Sequence, residues 1–187
     1  MSGGVPGRLI GVVGPSGVGK DTVMQALCAA HHGLRHLRRV ITRPPGPDGE
    51  DFERISTAAF DARAEAGAFA LQWAAHELRY GIPHAGCAPL AEGTDLIVNL
   101  SRGVLMDAQA QFPAFTVLAL HAPQDVLAAR LAARGREGSA QIAARLAQAE
   151  RPLPEGLRDV IRVTNDGDLA GTVREALAQI YPQSAVR

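Results

Sequence analysis

The residues Leu9-Ile-Gly-Val-Val-Gly-Pro-Ser-Gly-Val-Gly-Lys-Asp21 decide the fold of this 187-residue chain. The first five form an apolar run of the length of a buried parallel strand. The next six, Gly14-Pro15-Ser16-Gly17-Val18-Gly19, form a glycine-rich turn, and helical spacing follows at Val23 and Leu27. A strand, a glycine loop and a helix around G-x-x-x-x-G-K predict a phosphate-binding loop, in which backbone N–H groups and the positive end of the helix hold phosphate oxygens.

Lys20 completes this motif and is the single lysine among the 19 basic residues of the chain, the rest being arginine. A compact ammonium group reaches into a phosphate cradle that a planar guanidinium cannot enter. We therefore expect the loop and Lys20 to bind ATP, with Lys20 acting catalytically by neutralising the β- and γ-phosphates.

Asp21 stands where P-loop enzymes carry the Ser or Thr that ligates Mg²⁺. A carboxylate is also a good ligand of Mg²⁺, so the sequence predicts Asp21 as the metal ligand. In the alternative interpretation Thr22 supplies the hydroxyl, and Asp21 only interacts favourably with the N-terminus of the helix.

Further apolar runs of strand length alternate with helical patterns along the chain. The runs are at 96–98, 115–120 and 160–163, with a weaker one at Val40-Ile41, and the helical patterns are at 104–111, 126–131 and 169–180. This alternation favours a three-layer α/β fold whose central parallel sheet is covered on both faces. The length suits one domain over residues 1–187.

Composition and charge narrow the class of protein. The 47% hydrophobic and 20% charged content is that of a globular chain. A formal net charge of zero argues against nucleic acid or an anionic membrane as the main partner. Two cysteines without metal-ligand spacing, an N-terminus without the apolar segment of a signal peptide, and no apolar run that could span a bilayer indicate a cytoplasmic location.

A basic, glycine-hinged segment interrupts the helical region late in the chain. It carries Arg134 and Arg136, and Arg145 lies on the helical pattern that follows. Phosphoryl transfer needs positive charge that arrives when the site closes, so we expect these three arginines to be catalytic. Arg130 and Arg151 are interpreted as solvated charges on helix surfaces.

Together these motifs resemble those of the guanylate kinase superfamily. The similarity rests on the glycine loop, Thr42-Arg43-Pro44, Tyr80-Gly81, the stretch from Arg134 to Leu146, and Asn165-Asp166, in that family's order. The resemblance implies a guanylate kinase-like fold with a mobile lid at residues 132–146 and an acceptor-binding segment at residues 35–85. It also implies that the lid arginines grip the phosphates of ATP, that Asn165 lies near the adenine, and that Arg43 binds the acceptor's phosphate.

Other positions depart from the guanylate kinases. Gln72 stands where that family has a glutamate that accepts from guanine, Phe52 replaces a phosphate-binding tyrosine, and Val98-Asn-Leu-Ser-Arg102 replaces an Asp-x-Asp segment. Without these carboxylates the donors of a guanine would be left unpaired, which disfavours its binding. The departures resemble a narrower family, the ribose 1,5-bisphosphate phosphokinases of bacterial phosphonate catabolism.

This narrower resemblance implies that the chain uses ATP to convert ribose 1,5-bisphosphate, a small sugar bisphosphate, into 5-phosphoribosyl diphosphate. The acceptor phosphate is already anionic, so no general base is needed. The expected substrate-binding residues are Arg39, Arg43, Tyr80 and Arg102 for the phosphates, Asn99 for a ribose hydroxyl, and Gln72. Two alternatives stay open: a guanylate or other nucleoside monophosphate kinase, and a non-catalytic interaction module, which would usually lack the lysine and the lid arginines.

The first prediction concerns Lys20→Arg, which keeps the charge but replaces the ammonium with a group too large for the cradle. We expect phosphotransfer to fall by about a hundredfold or more, a scale typical of losing one group that stabilises transition-state charge. Circular dichroism should show an unchanged fold. Turnover close to that of the unsubstituted chain would contradict the role given to the lone lysine.

Overall fold

The structure, a computed structural model, describes residues 5–44, 51–133, 139–149 and 151–182. The strands are β1 (Leu9–Val13), β2 (Leu34–His36), β3 (Val40–Ile41), β4 (Glu53–Arg54), β5 (Phe69–Ala75), β6 (Leu78–Pro83), β7 (Asp95–Asn99), β8 (Phe115–His121) and β9 (Val160–Thr164). The helices are α1 (Lys20–Ala30), α2 (Thr57–Glu65), α3 (Ala88–Ala91), α4 (Leu105–Gln111), α5 (Gln124–Ala133), α6 (Ser139–Ala149) and α7 (Leu169–Ile180). No helix in these ranges is long and apolar enough to cross a membrane.

A parallel sheet of five strands forms the centre of the fold, in the order β2-β7-β1-β8-β9. Because alternate residues of a strand point to opposite faces, β1 contributes to two cores. Ile10 packs with Leu27 of α1 and Val173 of α7 on one face. Leu9 packs with Leu105 of α4 on the other face. The predicted three-layer fold with a central parallel sheet is therefore confirmed.

The carboxyl ends of the central strands meet at one edge of this sheet. Residue Val12 of β1 is paired with Asn99 of β7 and with Leu118 of β8, so the segments that follow these three strands emerge side by side. In open parallel sheets, ligands bind at this edge where the chain turns to opposite sides of neighbouring strands. The glycine loop follows β1 and therefore lies at that position.

A second, four-stranded sheet occupies much of the segment between residues 40 and 83, in the order β4-β3-β6-β5. It is mixed, because β3 pairs in parallel with β4 and antiparallel with β6, and β5 pairs antiparallel with β6. The strand predicted at Val40-Ile41 is present, but it belongs to this sheet and not to the central one. The second sheet was not predicted from the sequence.

At the opposite edge of the central sheet, the buried carboxylate of Asp95 joins both ends of the described chain. It accepts hydrogen bonds from the backbone N–H of Arg8 at 2.7 Å, from the Arg8 guanidinium at 2.9 Å and from the Tyr181 hydroxyl at 2.9 Å. Burial, followed by this bond to Asp95, raises the pKa of Tyr181. This cluster fixes β1, β7 and the end of α7 far from the glycine loop.

Candidate active site

The glycine loop, Gly14–Gly19, turns between the fully buried β1 and the first residue of α1. Gly17 and Gly19 have φ angles of 86° and 89°, in the left-handed region that favours glycine. Gly19 is the N-cap residue of α1 and, as a glycine, supplies no capping side chain to the described turn. The N–H groups of its first turn therefore have no capping side chain and are available for an anionic ligand.

Lys20 folds back along this loop. Its Nζ donates to the carbonyl oxygens of Gly14 at 3.1 Å and Pro15 at 3.2 Å. The single ammonium group thus lies over the start of the loop, next to the backbone N–H groups that follow. This placement suits the predicted role in phosphate neutralisation.

The rear of the loop is held by two side chains from distant parts of the sequence. Asn165, after β9, donates through Nδ2 to the carbonyl oxygen of Val18 at 2.8 Å. Arg130 of α5 donates through Nη1 to the same oxygen at 3.4 Å and to the carbonyl oxygen of Asn165 at 3.0 Å. The interpretation of Arg130 as a solvated surface charge is therefore wrong, because its guanidinium lies half-buried against the loop.

Asp21 and Asn99 meet beside the loop. Asn99, the last residue of β7, lies with Nδ2 at 3.5 Å from Asp21 Oδ1. Thr22 is exposed, whereas Asp21 is half-buried. Within the described ranges no group of three or more His, Cys, Asp or Glu side chains could hold a metal ion. A metal at Asp21 would therefore take most of its oxygen ligands from the nucleotide and from water, as Mg²⁺ commonly does.

An aromatic and cationic column lies in the second sheet. The rings of Trp73 and Tyr80 are stacked at 5.3 Å with an interplanar angle of 8°, and the Arg39 guanidinium lies 5.2 Å from the centroid of the Tyr80 ring. Arg39 and Tyr80 are 6% and 5% exposed, so most of each side chain is covered by protein. Trp73 Nε1 donates to Ser101 Oγ at 2.9 Å, which ties this sheet to the segment after β7.

The other expected acceptor residues are spread around this column. Arg43 lies over the Phe52 ring at 5.4 Å from its centroid, and Arg54, which sequence reasoning did not identify, lies over the same ring at 5.5 Å. Gln72 is exposed on β5 and points to the face opposite Trp73, because successive residues of a strand alternate. The structure thus brings Arg39 and Tyr80 together and places Arg43 over Phe52, whereas Gln72 faces away from Trp73.

Arg102 begins a short 3₁₀ turn in the segment after β7 and contributes to a positive potential at the carboxyl edge of the sheet. Burial, together with repulsion from Arg151, lowers the pKa of Arg102. Burial, Arg162 and Arg102 lower the pKa of His121 at the end of β8. Arg151 is exposed, as predicted from the sequence, but its positive charge helps to lower the pKa of Arg102. A cationic edge of this kind attracts a phosphorylated ligand.

From the predicted lid, Arg145 of α6 reaches the glycine loop and donates through Nη1 to Ser16 Oγ at 2.5 Å. This contact places a guanidinium beside the loop. Arg134 and Arg136 lie outside the described residues, so their predicted roles rest on the sequence alone.

Known proteins similar to this chain were identified from sequence and from structure. A family model described as "AAA domain" matches residues 10–151. The chain is 52% identical to "Ribose 1,5-bisphosphate phosphokinase PhnN" of Ruegeria sp., over 96% of this chain and 94% of that protein. It is 40% identical to the protein of the same name from Brucella melitensis, over 94% of this chain and 92% of that one.

Among solved structures, guanylate kinase from Anaplasma phagocytophilum aligns with a TM-score of 0.60 at 14% identity, over 98% of this chain and 89% of that chain. At this identity the likeness establishes the fold alone. It agrees with the guanylate kinase-like architecture expected from the sequence.

The second prediction concerns the hydrogen bond between Trp73 and Ser101. Ser101→Ala removes the acceptor and keeps the stacked rings, and Trp73→Phe removes the donor. Because the bond links the second sheet to the segment of Arg102, each variant should raise the KM for a phosphorylated acceptor about fivefold, the equivalent of one net hydrogen bond. The KM for ATP should stay unchanged in steady-state kinetics, and an equal rise in both constants would contradict this placement.

Proposed function

The chain belongs to the family of ribose 1,5-bisphosphate phosphokinases, and we propose that it transfers the γ-phosphoryl group of ATP to the 1-phosphate of ribose 1,5-bisphosphate. The product is 5-phosphoribosyl 1-diphosphate. The observation that carries the proposal is the chemistry of the carboxyl edge of the central sheet. There Lys20 follows β1 and Arg102 follows the neighbouring β7, so an ammonium and a guanidinium lie at the same edge of the sheet and suit a polyanionic acceptor.

The principal barrier to this reaction is repulsion between two polyanions, and the proposed mechanism is one of charge neutralisation. On the donor side, Lys20 and Arg145 lie at the glycine loop, and we assign Arg134 and Arg136 to the same role. On the acceptor side, the candidates lie in and around the second sheet and at the carboxyl edge of the central sheet. They are three cations and one tyrosine: Arg39, Arg43, Arg102 and Tyr80. The attacking oxygen belongs to a phosphate that is already anionic, so no side chain needs to remove its proton.

Asp21 is the residue that we propose as the protein ligand of Mg²⁺. Its carboxylate stands in the first turn of α1 next to Lys20, and a hard oxygen donor is the type that Mg²⁺ prefers. The bound ion would neutralise phosphate oxygens of ATP. Asn99 was expected to bind a ribose hydroxyl, but its amide faces Asp21, and we propose that it orients the carboxylate.

Binding of guanine finds no support in the residues at the end of β7. Leu100 is 4% exposed and packs in the apolar cluster that contains Val98 and Val104, so it offers no acceptor to a purine. A kinase of nucleoside monophosphates would need carboxylates or amides in this position to satisfy the donors of the base. The acceptor that fits is one whose recognition depends on charge.

The third prediction compares acceptors directly. With ATP and Mg²⁺, ribose 1,5-bisphosphate should have a kcat/KM at least about a thousandfold above that of GMP, since each unpaired donor of a buried guanine costs about 1–3 kcal/mol. Ribose 5-phosphate serves as the control that lacks the accepting 1-phosphate. Initial rates of ADP release measure all three, and comparable values for GMP and ribose 1,5-bisphosphate would contradict the proposed acceptor.

The fourth prediction concerns Asp21 and Asn99. Asp21→Asn should raise the Mg²⁺ concentration for half-maximal activity by about tenfold or more, since weakened ligand sets lose affinity on this scale. In the double variant Asp21→Ser, Asn99→Asp, which moves the carboxylate to the end of β7, the midpoint should return toward its original value. Asp21→Ser alone should not recover it.

Binding of Mn²⁺ to the enzyme–ADP complex, followed by electron paramagnetic resonance, provides a readout independent of turnover. The competing interpretation, in which Asp21 only complements the helix N-terminus, predicts a small loss of stability and no change in metal affinity. An unchanged Mn²⁺ affinity in Asp21→Asn would remove the ligand role.

A further inference from the structure

The carbonyl oxygen of Val18 is the point where three distant segments meet. It lies in the glycine loop, between Gly17 and Gly19, and accepts from Asn165 at 2.8 Å and from Arg130 at 3.4 Å. Since a carbonyl oxygen only accepts, the atom of Asn165 that faces it must be the NH₂ group. The orientation of this side-chain amide is thus determined by its partner.

The N–H on the other side of the same peptide group explains why the orientation of this oxygen matters for ligand binding. A trans peptide is planar, and its C=O and N–H point in opposite directions. With the Val18 oxygen held at the rear of the loop, the N–H of Gly19 is turned to the other side, toward the cradle. A rotation of this one peptide by half a turn would aim the oxygen, a negative dipole end, at a bound phosphate.

Gly19, on one side of this peptide, lowers the steric barrier to such a rotation. Gly19 adopts its φ of 89° without the penalty that a side chain would impose, and it can adopt other values as readily. The flexibility that lets the loop form therefore does not by itself select one orientation of the Val18–Gly19 peptide. Contacts from outside the loop are needed for that.

We propose that Asn165 and Arg130 are positioning residues that hold the Val18–Gly19 peptide with its N–H directed at the phosphates of the nucleotide. Asn165 is 6% exposed, and its Oδ1 lies 3.3 Å from the Thr172 hydroxyl of α7, so its amide is engaged on both sides. A Cβ added at Gly19 would lie 2.9 Å from Asn165 Nδ2, which shows how closely the side chain supports the loop. The two residues act from behind the loop and touch neither ATP nor the acceptor.

This assignment differs from a contact with adenine, the role that the resemblance to guanylate kinases implied for Asn165. A side chain that contacts the adenine changes the binding affinity only of ligands that have a base. A side chain that orients a loop N–H affects every ligand with a polyphosphate. The inference rests on the proposed function only in requiring that the loop holds a nucleoside triphosphate, and it is independent of the acceptor's identity.

The test uses the complete protein and inorganic tripolyphosphate, which has the phosphates of ATP and no base. Asn165→Leu keeps the branched shape and removes the donor, and Arg130→Met keeps the aliphatic stem and removes the other donor. Arg174→Met, at an exposed arginine on α7, is the matched control. Dissociation constants for ATP and for tripolyphosphate are measured by isothermal titration calorimetry, with thermal unfolding of each variant alongside.

We expect each substitution to weaken the binding of ATP and of tripolyphosphate by the same factor, about fivefold, a scale set by the loss of one net hydrogen bond at the loop. Arg174→Met should bind both ligands like the unsubstituted chain. Weaker binding of ATP with unchanged binding of tripolyphosphate would overturn the proposal in favour of a base contact. Unchanged binding of both ligands would overturn it as well, even if unfolding occurred at a lower temperature.

Failure of the proposed function gives a different result. If the unsubstituted chain binds both ligands but does not phosphorylate ribose 1,5-bisphosphate, the acceptor assignment fails while the positioning role is still decided by the variants. Should Asn165→Leu not fold, Arg130→Met alone decides the question, because it removes the other donor to the Val18 oxygen together with the bond that holds the Asn165 backbone.

Discussion

The backbone turn from β1 into α1 is the constraint on which the rest of the structure depends. It requires left-handed φ angles at Gly17 and Gly19, an uncapped helix N-terminus, and an ammonium group that folds back over Gly14 and Pro15. A helix N-terminus without a capping side chain is unfavourable without a ligand, because its first N–H groups have no partner within the helix. The parallel sheet offsets this cost by burying β1 completely and fixing where the turn begins.

Other parts of the chain are arranged around this turn. Asn99 at the end of β7 contacts Asp21, Arg145 of α6 contacts Ser16, and Asn165 after β9 contacts Val18. Each of these side chains comes from a different element. Asn99 and Asn165 lie near the turn because β7 and β9 end at the same edge of the parallel sheet as β1. The topology therefore determines which residues can act on the phosphates.

Much of this arrangement could be predicted from the sequence, since the signals were local. The glycine loop has a distinctive motif, and the strands and helices have strong hydrophobic periodicities. The proximity of Asp21 to the end of β7 follows from the parallel order of the strands. The second sheet gave no such signal. Its strands β3 and β4 are two residues long, and the hairpin between β5 and β6 turns at His76 and Glu77, which adopt positive φ angles of 51° and 61° without the usual glycine or asparagine.

The role of Arg130 shows a different limit. Its partner is a backbone oxygen 112 residues away, which leaves no pattern in either segment, so a charge on a helix was interpreted as solvated. The same limit applies to Trp73, whose indole N–H reaches Ser101 from the second sheet. Such contacts depend on the packing of distant elements, and single residue types do not reveal them.

The most direct test of the central claim is to follow the transferred group by ³¹P NMR in a mixture of the enzyme, ATP, Mg²⁺ and ribose 1,5-bisphosphate. The account predicts that the γ-phosphorus resonance of ATP disappears while a pair of coupled diphosphate resonances of the sugar product grows in equal amount. The resonance of a phosphate monoester at the sugar's 5-position should persist. Release of inorganic phosphate alone, or formation of a diphosphate at the 5-position, would contradict it.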